Sequence, residues 1–158
     1  MTTPIRPALL RDPIHLLAFG FGAGLSPYAP GTVGTLIAVP IVLLVSHFGW
    51  IAHLSFALFA FVGGIYICGA SARKLGVHDH PAIVWDEIAG YTVTMLAAPP
   101  EPAWLLGGFV LFRFFDVVKP SPIREADHSL RGGLGIILDD IIAGVFAGAI
   151  LLAAKHLV

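Results

Sequence analysis

Five carboxylates lie inside or at the edge of apolar stretches: Asp86, Glu87, Asp116, Asp139 and Asp140. An acid at the centre of a bilayer helix costs about 2.5–3.5 kcal/mol on insertion scales, and less near a helix end. Five such groups close together also repel one another. A divalent cation relieves both penalties, and carboxylate-rich oxygen sites suit Mg²⁺, Mn²⁺ or Ca²⁺. A metal so held can act as a Lewis acid and activate a water. A competing reading needs no metal. Acids in the first turn of a helix favour its dipole, which would account for the pairs 86–87 and 139–140. It does not account for Asp116, which falls near a predicted helix C-terminus; there the local alternative is pairing with Arg113 at i−3.

Cations stand beside these acids. Arg113, Lys119 and Arg124 fall in the dense stretch 113–127. A phosphate needs cationic donors next to its metal, although the same residues also serve as interfacial anchors. The stretch 20–35 is rich in Gly, Pro, Ser and Thr and leads into an apolar run. Ser26, Thr32, Thr35 and free backbone N–H groups there are candidate phosphate contacts. Tight turns or close helix packing explain such loops equally, and no Gly-Lys-Ser/Thr triplet makes it a P-loop. His78 and His80 precede Asp86 and are either acid–base or metal groups, or interfacial polar residues. Cys68 reads as a small buried residue, because a cysteine-phosphatase loop needs Arg where Lys74 stands. An aspartyl-phosphate route ranks behind activated water, since no Asp-x-Asp motif is present.

The elements that must position these groups are apolar. Of 158 residues, 57% are hydrophobic and 12% charged, and mean hydropathy is +0.88. A soluble domain averages about 25% charged residues, so the composition predicts a helical membrane protein. The net charge of −1 offers no basic field for nucleic acid. One cysteine excludes an internal disulfide framework. Five apolar segments follow a short N-terminal extension (1–19): A at 35–48, B at 51–69, C at 83–98, D at 103–118 and E at 136–158. Their lengths exceed ordinary strands and show no period-two alternation. The stretch 14–23 is apolar but too short to span, and it fits a cleavable leader poorly. Gly132, Gly133 and Gly135 predict a flexible turn before E, and Gly144 with Gly148 a helix-packing pair. The expectation is one all-α domain over 1–158: a small polytopic membrane bundle of four to five hydrophobic helices. Pro40 leaves open whether A spans or re-enters.

If all five segments cross, eight of the nine Lys and Arg residues share one side. The positive-inside bias makes that side cytoplasmic. Asp12, Asp79, Glu125 and Asp127 gather there with the five intramembrane acids, and only Glu101 lies opposite. The adjacent acids of each pair point about 100° apart on a helix, which leaves room for one member to face the cluster while the other meets the headgroups.

Several stretches together resemble the phosphatidylglycerophosphatase A family. They are GLSPYAPGTVGT at 24–35, VWDEIAG at 84–90, FRFFDVVKPSPIR at 112–124, RGGLG at 131–135 and LDDIIAG at 138–144. The resemblance covers nearly the whole chain from Gly20 onward. It implies an all-helical fold and Mg²⁺-dependent hydrolysis of phosphatidylglycerophosphate to phosphatidylglycerol and phosphate. It also implies a place in the bacterial cytoplasmic membrane, in glycerophospholipid synthesis; the charge bias above puts the active site on its cytoplasmic side. It keeps Asp86, Glu87, Asp116, Asp139 and Asp140 as catalytic and metal-ligand candidates without assigning individual roles. Two other classes compete. A divalent-cation transporter would need acids deeper in the bilayer. A transferase acting on nucleotide-activated lipids would need an Asp-Gly…Ala-Arg…Gly…Asp…Asp arrangement that is not found.

Overall fold

A computed structural model describes residues 6–78, 80–124 and 130–157, and all regular structure among them is helical. Asp79, Glu125, Asp127 and His128 lie outside the described residues. The main helices are α1 (Pro13–Ala18), α2 (Pro30–His47), α3 (Trp50–Leu75), α4 (Trp85–Thr94), α5 (Pro102–Val118) and α6 (Gly132–Leu157).

Local chemistry sets their ends. The Asp12 carboxylate accepts from the Ile14 N–H at 2.9 Å and caps α1, with Pro13 in its first turn. Pro30 and Pro102 open α2 and α5, where a missing N–H costs nothing. Gly76 closes α3 with φ +71°, after Arg73 and Lys74 in the last turn, a favourable place for cations. Segment C is α-helical only over Trp85–Thr94 and continues as a 3₁₀ turn, Met95–Ala97. Ala98 is extended because the following Pro99 disfavours the helical conformation.

The helices run up and down. Pro30, Asp86, Asp116 and Asp139 meet around one cavity, while Ser46, Trp50, Ala97 and Lys155 meet around another at the opposite end. Three helices, α2, α3 and α6, are long and apolar enough to cross a membrane. Segment A up to His47 lies within the uninterrupted 18-residue helix α2, about 27 Å long, and does not turn back at Pro40. Aromatic residues mark both of its ends: Tyr28 before it, and Phe48 and Trp50 after it, all well exposed. That distribution matches the aromatic belts of membrane interfaces.

The core centres on α4, which packs most extensively against α6. Glycines allow this approach. A Cβ at Gly90 would lie 2.6 Å from both the Asp140 carbonyl oxygen and the Phe112 ring, and one at Gly144 would collide with the Gly90 backbone. Thr94 Oγ1 donates to the Gly90 carbonyl at 3.0 Å and lies 3.3 Å from that of Gly144.

The glycines before segment E behave differently from the sequence expectation. Gly132, with φ +75°, opens α6, and Gly133 and Gly135 lie within its first turn. A side chain at Gly133 would strike the Ile65 backbone of α3, and one at Gly135 the Leu130 carbonyl. They are small for close packing. Asp139 and Asp140 consequently lie two turns inside α6, and no acid occupies its first turn.

The N-terminal extension is also packed. Phe19 is fully buried, and the Ala18 carbonyl accepts from the Val84 N–H at 2.8 Å. His15 Nδ1 is 2.9 Å from Ser71 Oγ, and Asp12 pairs with Lys74. Residues 12–25 thus strap the end of α3 to the loop before α4.

Candidate active site

Two backbone approaches bring the acids together. The start of α4 carries Asp86 and Glu87, and its contact with α6 through Gly90 and Gly144 sets them beside Asp140. One carboxylate oxygen from each of Asp86, Glu87 and Asp140 lies within 4.8 Å of the others. Asp116 enters from the end of α5, and Asp139 from α6. All five line one cavity of about 390 Å³. Both members of each adjacent pair line it, rather than one of each. Asp86, Asp116, Asp139 and Asp140 are buried, and Glu87 is half-buried.

Two cations line the same cavity. Arg113 pairs with Asp116 at i+3 and reaches Glu87 Oε1 at 3.7 Å. Lys119 Nζ is 2.5 Å from Asp139 Oδ2. Lys119 also caps α5 in the left-handed conformation, φ +46°, and Ala29, also in the lining, has φ +44°. Left-handed non-glycine residues cost of order 1–3 kcal/mol and cluster at functional sites.

Five carboxylates against two cations leave the lining electron-rich. Buried oxygens Glu87 Oε2 and Asp140 Oδ2 have no hydrogen-bond partner among the described residues. Buried polar atoms ordinarily have partners. The donor set is made of hard carboxylate oxygens, as Mg²⁺ or a similar divalent cation requires, so the residues present fit a metal. The dipole reading fails for Asp139 and Asp140, which are too far along α6. The pairing of Asp116 with Arg113, its other component, is observed.

The remaining candidates fall elsewhere. Ser26 Oγ donates to the Tyr28 carbonyl at 2.8 Å, and Thr35, fully buried, donates to the Gly31 carbonyl at 2.9 Å. Neither lines the cavity, nor does Thr32, and Arg124 is exposed outside it. The 20–35 stretch contributes backbone instead: Ala29, Pro30 and Gly31 line the cavity at the start of α2. A side chain at Gly31 would occupy the space of the Glu87 carboxylate. The glycine and proline of that loop are the sequence signal for this contribution. His78 Nε2 accepts from the Gly132 N–H at 3.1 Å, and His80 Nδ1 from Ala82 at 3.1 Å. Both histidines hold backbone. Cys68 is buried.

The family model of phosphatidylglycerophosphatase A matches residues 16–155. The chain belongs to that family. A phosphatidylglycerophosphatase A of Escherichia coli (strain K12) is 44% identical over 148 residues, covering 93% of this chain and 86% of the relative. One from Haemophilus influenzae (strain ATCC 51907 / DSM 11121 / KW20 / Rd) is 43% identical over 155 residues, 97% and 95% of the two chains. No solved structure matches. The chain is thus a phosphatase of the phosphatidylglycerophosphatase A family, an all-helical member with three helices long enough to span a membrane.

Proposed function

We propose that the chain hydrolyses phosphatidylglycerophosphate to phosphatidylglycerol and phosphate, with Mg²⁺ held by Asp86, Glu87 and Asp140. The supporting observation is the convergence of these three carboxylates in a cavity whose buried oxygens lack enough protein partners. An ion held there would supply polarisation of the phosphate and a water of lowered pKa. The chain's own residues do the rest. Arg113 and Lys119 neutralise charge that develops on the phosphoryl oxygens. Both are already held beside the acids by ion pairs, so little reorganisation is needed. Ala29, Pro30 and Gly31 line the same space at the start of α2, and the N-terminal end of a helix favours an anion. A carboxylate of the cluster takes a proton from the attacking water. The new bond is water oxygen to phosphorus. The bond broken joins phosphorus to the glycerol oxygen, which leaves with a proton.

In this reading the cavity end faces the cytoplasm and the chain crosses the bacterial inner membrane several times. The basic residues Arg73, Lys74, Arg113, Lys119 and Arg124 support it by clustering at that end. A cation-transport path is disfavoured by the interior: among the described residues, no buried carboxylate lies beyond Asp140 toward the other end.

The test is phosphate release from detergent-solubilised protein given phosphatidylglycerophosphate, with Mg²⁺ and then with EDTA. Phosphatidic acid serves as the comparison lipid phosphomonoester. Release that needs the metal and prefers phosphatidylglycerophosphate supports the reading. Absence of release from folded, metal-loaded protein overturns it.

A further inference from the structure

The catalytic cavity is polar, yet one large apolar residue of its lining faces outward. Val117 is 69% exposed. It continues a stripe on α5: Leu106 is 66% exposed and Val110 is 57% exposed. At 3.6 residues per turn the three residues fall within an arc of about 40° and run about 16 Å along the helix. Arg113 lies on the edge of the same arc but turns inward, to Asp116 and Glu87. Its guanidinium also lies against Gly31, since a Cβ there would be 3.2 Å from Arg113 Nη1. At the cavity end α5 therefore flanks α2, with an apolar track leading outward past Val117.

A phospholipid poses a geometric problem that this track answers. Its phosphate must reach the carboxylates while its chains remain in hydrocarbon. The opposite side of α5 offers no such path, because Phe115 packs there against Phe146 of α6. The outer face of α3 is apolar too, with Leu58, Phe59 and Val62 exposed, but none of these residues lines the cavity.

We propose that an acyl chain of the phospholipid substrate lies along Leu106, Val110 and Val117 of α5, and that the headgroup slides into the cavity laterally past Val117. This rests on the reading of the substrate as a phospholipid phosphomonoester. The track would make chain length, beyond the headgroup, a determinant of kcat/KM.

The test compares long-chain and six-carbon forms of phosphatidylglycerophosphate in the same detergent, read as the ratio of their kcat/KM values. The variants are Val110→Trp and Val117→Trp, with Leu58→Trp as a control on the outer face of α3. The wild-type protein is expected to favour the long-chain lipid. Each α5 variant should lower that ratio about tenfold, the scale of losing a few buried methylene contacts. The Leu58→Trp ratio should match the wild type. A wild-type protein indifferent to chain length, α5 variants that keep the preference, or a control that loses it equally would overturn the proposal. If the wild-type protein releases phosphate from neither lipid, the phospholipid reading itself fails and takes this one with it.

Discussion

Glu87 Oε2 and Asp140 Oδ2 are buried oxygens without hydrogen-bond partners among the described residues, and a cation that satisfies them couples binding to stability. A ligand that binds only the folded chain raises its stability by mass action. Wild-type protein should therefore melt at a higher temperature in Mg²⁺ than in EDTA, as read by thermal unfolding in detergent. Asp140→Asn and Glu87→Gln should shrink that difference and lower phosphate release by about 10²–10⁴-fold. Wild-type turnover by Asp140→Asn would remove it from the centre. Lys119 tests the electrostatics separately. Lys119→Ala halves the number of cations lining the cavity and breaks the contact with Asp139. It should cost about 1–3 kcal/mol of stability and reduce turnover, and Lys119→Arg should not fully restore it, because the planar guanidinium is not a point charge.

Helix-to-helix distance is the variable that controls the acid cluster at the scale of elements. The approach of α4 to α6 leaves no room for a Cβ at Gly144. Gly144→Ala should lower the melting temperature and the activity together, by about 1–3 kcal/mol of overpacking. Gly148→Ala is the milder comparison, with its Cβ 3.3 Å from the Thr94 carbonyl. Equal behaviour of the two variants would argue against backbone contact as the cause. The N-terminal strap adds a pH dependence. Burial lowers the pKa of His15 from its usual 6.5, opposed by the nearby Asp12 carboxylate. The unfolded chain then binds the proton more readily, so stability falls as pH drops below about 6.5. Melting temperature followed from pH 7.5 to 5 should show that decline, and His15→Gln should flatten it.

For the whole molecule, the up-and-down course puts the cavity and Lys155 at opposite ends. In a Cys68→Ser background, a cysteine replacing Lys155 should react with a membrane-impermeant maleimide added outside intact inner-membrane spheroplasts. One replacing Arg124 should react only after the membrane is opened. The reverse pattern would invert the orientation proposed for the active site.

Much of this arrangement was legible in the residues. The five segments are helical because they are apolar, long and without strand alternation. The acids within them signal a shared centre because isolated charges in hydrocarbon are costly. The motif stretches 84–90, 112–124 and 138–144 name the family that the match over 16–155 shows. What the chain alone left open depended on distances between helices. Gly132, Gly133 and Gly135 look like a turn in sequence, but α6 begins at Gly132, and Gly133 lies against the α3 backbone. That shift sets Asp139 and Asp140 two turns inside α6 and removes the dipole explanation for that pair, whereas Asp86 and Glu87 do lie in the first turn of α4. Ser26, Thr32 and Thr35 have the right chemistry for phosphate, but Ser26 and Thr35 donate to nearby carbonyls and all three lie off the cavity, leaving Gly31 beside Glu87. Composition and spacing fix which side chains a helix carries. Which of them meet across helices is decided by how closely the backbones approach, and here glycine contacts set that distance.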